Sequence, residues 1–136
     1  MNKVLEIKEL YNVKSFKNDW QTFDGYMIKT EKDVYYFLIE NGQSCCEMWG
    51  YISSDDDLNK YVGKELVSVE IVNLACDKIS KILEEGYIQE SECEFINVNF
   101  KNGDLLQLTV YNSHNGCYGH DVLFIKNKTL ILDSYL

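Results

Sequence analysis

The 136 residues include 46% hydrophobic side chains, with 10 Tyr, 6 Phe and 2 Trp, enough apolar surface for one core; this composition excludes a disordered chain. No apolar run is long enough to cross a bilayer, and the charged start Met1-Asn2-Lys3-Val4-Leu5-Glu6 lacks the h-region of a signal peptide, so a cytosolic protein without a membrane partner is expected. The net charge is −9 and all 13 basic residues are lysines; lacking the rigid arginine fork that grips phosphates and guanine edges, the chain is not expected to bind nucleic acid directly.

Along the chain, no repeat, low-complexity tract or linker marks a boundary, so residues 1–136 read as a single domain. Phe16, Trp20 and Phe23 recur at i, i+4 and i+7 behind Ser15, with Gly25 placed to end the turn, which predicts a short amphipathic helix. Strands follow at Tyr26 to Thr30 and Val34 to Glu40, and Asn41-Gly42 offers a tight turn into a third strand, Gln43 to Ile52. Ser54 and Asp57 have capping-box spacing, which predicts a second helix with Leu58, Tyr61 and Val62 inward and Gly63 as its stop. Leu66 to Leu74 reads as a strand, and Asp77 to Glu85, ahead of Gly86, reads as a third helix.

The next hairpin allows a sharper expectation. The apolar faces Ile96, Val98, Phe100 and Leu106, Leu108, Val110 fall on one side of a sheet only if Lys101-Asn102-Gly103 forms a three-residue loop with Gly103 left-handed. That register pairs Val98 with Leu106 and Ile96 with Leu108. Strands Asp121 to Lys126 and Thr129 to Tyr135 turn at Asn127-Lys128. The expected fold class is α+β: mainly an antiparallel sheet of hairpins, with two or three short helices on one face.

Two segments concentrate the unusual chemistry. Gly42 to Tyr51 holds Cys45, Cys46, Glu47, Trp49 and Tyr51, and Asn112 to Asp121 holds His114, Cys117, Tyr118 and His120. His114, Cys117 and His120 with Cys45 or Cys46 make a weak zinc-ligand set at unfamiliar spacing, and alternate residues of a strand would send Cys45 and Cys46 to opposite faces. A thiol beside a histidine, with Glu47 or Asp121 as orienter, supplies the groups acyl transfer needs, and Ser113 offers a weaker alternative; no nucleophile signature accompanies either. The simpler reading is structural, with Asn115-Gly116 and Tyr118-Gly119 as a bend and Cys46 or Trp49 packed beneath it. Five cysteines do not pair off into a disulfide framework, and a cytosolic thiol is kept reduced. No catalytic residue, metal or cofactor is therefore assigned, and an enzyme is not expected. Trp49, Tyr51, Tyr118 and the run Asp55, Asp56, Asp57 instead suit a partner-binding rim, where aromatics anchor and acids steer.

Gln43-Ser44-Cys45-Cys46-Glu47, then Asp57-Leu58-Asn59-Lys60-Tyr61-Val62-Gly63, then Asn115-Gly116-Cys117-Tyr118, resemble a phage and prophage family of domains of unknown function over roughly residues 26 to 126. The resemblance carries no catalytic residue. It implies a context in which small acidic proteins bind and disable a host protein, as anti-CRISPR and other counter-defence inhibitors do. The expected function is stoichiometric inhibition of a basic host protein, such as a nucleic-acid-binding defence nuclease. A nucleotide-signal sponge stacking its ligand on Trp49 and Tyr118 is the alternative, followed by a thiol or zinc enzyme.

Overall fold

The computed structural model describes residues 2–14, 21–42, 48–75, 90–114 and 120–135. Among the described residues the chain forms strands β1 (Val4–Lys14), β2 (Thr22–Thr30), β3 (Val34–Glu40), β4 (Met48–Ser53), β5 (Leu66–Ala75), β6 (Glu90–Phe100), β7 (Leu105–His114), β8 (Asp121–Lys126) and β9 (Thr129–Tyr135), with a one-turn 3-10 helix at Leu58–Tyr61. They build two antiparallel sheets, ordered β1-β2-β3-β8-β9 and β4-β7-β6-β5.

Period-two side-chain alternation places the core. Tyr26, Ile28, Phe37, Ile39, Val122 and Phe124 of the first sheet share one buried cluster with Ile96, Val98, Phe100, Leu106, Leu108 and Val110 of the second. Phe23, Leu38, Leu123 and Ile125 point the other way and form a second buried cluster with Leu10, Val13 and Tyr36. The centre of the five-stranded sheet is thus buried on both faces, which is why Val34–Glu40 and Asp121–Lys126 are near-continuous apolar runs. Gly25 belongs to this centre for a steric reason: a Cβ there would lie 2.1 Å from the Phe37 carbonyl oxygen.

The β6–β7 hairpin has the expected register, Val98 with Leu106 and Ile96 with Leu108. Gly103 is left-handed at φ +90°, and the Phe100 N–H donates to the Asp104 carbonyl at 3.0 Å, closing a loop of Lys101, Asn102 and Gly103. The strands expected at 34–40, 121–126 and 129–135 stand at those bounds.

The α+β expectation is overturned: the chain is antiparallel β in two sheets, and the 3-10 turn is its helical element among the described residues. Phe23 and Gly25, expected to belong to a helix, lie inside β2, while residues 15–20 fall outside the described residues. The Asp77 to Glu85 helix also falls outside them. The stretch after Ser54 stops at one turn because its polar side chains bond elsewhere. Ser54 Oγ accepts the Gln107 N–H at 2.9 Å, and Asp57, at the N-cap, makes no side-chain cap bond. Tyr61 is buried as expected, but Val62 is 43% exposed.

Two further corrections concern connection and register. Asn41-Gly42 does not turn a hairpin, since β3 and β4 belong to different sheets and the chain crosses between them. β1 escaped the sequence reading because register shifts between Val4 and Glu6 and between Leu10 and Val13 break its alternation. This edge strand also ties the sheets together at its start, where Val4 N–H donates to Lys64 O at 2.9 Å and Leu66 N–H to Asn2 O at 2.8 Å.

Candidate functional site

An open cleft of about 230 Å³ lies between the sheets at β1, β2 and β4, walled by Glu9, Tyr26, Tyr51, Asp55, Asp56 and Leu58. Antiparallel register sets Glu9 directly opposite Tyr26, so both share one face of the first sheet. Tyr51 comes from β4; its ring meets that of Tyr26 edge-on at 5.4 Å and 90°, and that of Tyr11 at 6.4 Å. The Tyr11 hydroxyl donates to the Glu9 carboxylate. Burial raises the pKa of both Tyr26 and Tyr51, keeping their phenols neutral.

The floor is shaped by the turn after β4. Ser53 Oγ donates to Asp55 O at 2.8 Å, and the Asp55 carboxylate accepts Lys60 Nζ at 2.8 Å, Tyr61 OH at 3.0 Å and the Asp57 N–H at 3.0 Å. These bonds, that of Lys60 first, lower the Asp55 pKa to about 2. Tyr61 in turn stacks on Phe100 at 5.2 Å. Asp55 is therefore a structural anion, whereas Asp56 and Asp57 are exposed.

A second polar group lies where β3 ends and β8 begins. Gln21 Nε2 donates to Asp121 Oδ2 at 2.7 Å and to the Glu40 carboxylate. His120 is 1% exposed; its Nδ1 sits 2.6 Å from the Glu40 carbonyl oxygen, which can only accept, so Nδ1 carries the proton. The His120 ring lies 5.1 Å from the Trp49 ring. Glu94 and Asn112 are fully buried, on the inward-facing positions of β6 and β7 beyond Ile96 and Val110.

The residues named from the sequence are distributed unevenly over these two places. Tyr51, Asp55 and Asp56 meet at the cleft, and Asp57 is exposed on the same turn. Trp49 packs inward beside His120 at the other group, and Asp121 joins Gln21 there. His114 is the last residue of β7, and Ser113 pairs with Met48. Cys45, Cys46, Glu47, Cys117 and Tyr118 lie outside the described residues. Their flanking strands are adjacent nonetheless: Ile39 pairs with Val122 and Met48 with Ser113, so both unusual segments connect neighbouring strand ends of the two sheets. Among the described residues no three His, Cys, Asp or Glu side chains are grouped to hold a metal.

Sequence reasoning missed Glu9 and Tyr26 of the cleft, Gln21 and Glu40 of the second group, and the buried Glu94 and Asn112. Glu9 was hidden with the whole of β1. Tyr26 carried a usable signal, as a phenol on an inward strand position whose hydroxyl must meet water or a partner.

No curated protein and no solved structure matches the chain. One family model does, from residue 2 to residue 124, a span that takes in both sheets as far as Phe124 of β8. The chain belongs to the family described as Domain of unknown function (DUF7448).

Proposed function

We propose that the protein is a phage-type accessory factor that docks stoichiometrically on a basic, nucleic-acid-binding host protein and disables it, in the manner of a counter-defence inhibitor. The observation that carries this reading is charge. A net −9 without arginine repels nucleic acid and attracts the lysine- and arginine-rich channel of a protein that binds it. Asp56 and Asp57 are exposed beside a cleft that Glu9 and Asp55 also make acidic, which gives the attraction a place to act. Trp49 lies against His120, so the alternative of a nucleotide stacked on Trp49 finds less support.

The test is made in bacteria carrying nuclease-based defence systems. Expression of the chain is expected to restore plating of a phage that one such system restricts, and the double variant Asp56→Lys, Asp57→Lys is expected to lose that effect while remaining folded. Restriction undiminished by the wild-type chain across the panel, or equal relief by the double variant, would contradict the reading.

A further inference from the structure

We propose that the cleft receives one arginine side chain from the partner. This deepens the acidic-binder reading and rests on it. Two independent observations meet at the cleft. Glu9 and Asp56 present carboxylates, and unlike Asp55 neither is tied to a lysine. Tyr26 also lines the cleft, is only 2% exposed, and its hydroxyl has no hydrogen-bond partner among the described residues. The hydroxyl itself keeps contact with solvent rather than being sealed off, so the cleft offers a polar atom whose water a ligand donor would replace.

The chemistry selects a guanidinium. Its planar fork offers five N–H donors, enough to reach Glu9, Asp56 and the Tyr26 oxygen together. Tyr26 and Tyr51, set at right angles, present aromatic surface to a delocalised cation. The chain cannot fill the cleft from itself with this group, because it has no arginine, and the nearby Lys60 ammonium is held on Asp55. About 230 Å³ accommodates the end of one side chain, and the carboxylates repel phosphate.

Backbone amide NMR of the full chain, titrated with a capped Gly-Arg-Gly peptide and its lysine and citrulline counterparts, tests the proposal. The arginine peptide should produce saturable shifts at Glu9, Tyr26 and Tyr51. The lysine peptide should bind more weakly, and neutral, isosteric citrulline should not bind. Glu9→Gln with Asp56→Asn should weaken arginine binding by about tenfold or more, and Tyr26→Phe by roughly fivefold. Equal responses to arginine and citrulline, equal affinities for arginine and lysine, or arginine binding unchanged in these variants with dispersed native spectra, would overturn it. The two levels separate cleanly. Partner capture that survives all three substitutions removes the cleft from the account and leaves the binder standing. A wild-type chain that takes the peptide but captures no partner does the reverse.

Discussion

Asp55 shows how one side chain organises the acidic turn. Its carboxylate collects Lys60, Tyr61 and the Asp57 N–H, and Tyr61 carries that anchor into the core through Phe100. Because these bonds favour the ionised form, its folded pKa is about 2, below the ordinary 3.8. The stability it contributes is therefore complete above the ordinary carboxylate pKa and lost as pH falls through the folded value. Asp55→Asn should lower the urea midpoint at neutral pH, and its gap from wild type should close between about pH 4 and about pH 2. A gap that stays constant across that range would contradict this assignment. Only part of such detail was legible in the sequence. The capping-box spacing of Ser54 and Asp57 predicted a longer helix, whereas the carboxylate that anchors this turn is Asp55 and depends on Lys60 and Tyr61 folding back. The sequence left Trp49 open between a place beneath a bend and an exposed rim; its ring lies beside buried His120, a contact that the two sheets bring about.

At the level of elements, the β6–β7 hairpin was readable to the residue because two apolar faces with period two must share a side, and one loop length alone allows that. β1 was not, since two register shifts scramble its alternation and its edge position leaves most of its side chains exposed. Of the Phe16, Trp20 and Phe23 spacing only Phe23 falls among the described residues, and it serves β2 with Gly25, which allows the close approach of Phe37. Gly103 in a hairpin loop and Gly25 inside a strand make a discriminating pair. Gly103→Ala meets open space and pays only for a left-handed alanine, about 1–2 kcal/mol. Gly25→Ala drives a Cβ into the Phe37 carbonyl, must displace the β2–β3 ladder, and should cost roughly 3 kcal/mol or more. Urea unfolding of both variants checks the order; a smaller loss for Gly25→Ala would contradict the packing of β2 on β3.

For the whole molecule, local patterns identified hairpins but not the division into two sheets. That division depends on the chain leaving β3 at Asn41 and entering a different sheet at Met48, a choice made by the shared core of Phe37, Ile39, Leu108 and Val110 rather than by any turn signal. The sheets bring Glu9 and Tyr26 up to Tyr51 and Asp56, residues far apart in sequence, and so create the cleft. Charge was legible from composition alone, and it is the property on which the functional proposal turns. Affinity capture of the tagged chain from lysate of a defence-carrying bacterium, with elution by stepped salt, tests that proposal most directly. The account predicts one basic, nucleic-acid-binding protein near equimolar with the bait, held at moderate ionic strength and released as salt screens the contact. A bait that retains no such protein, or a partner whose retention is indifferent to salt, would contradict it.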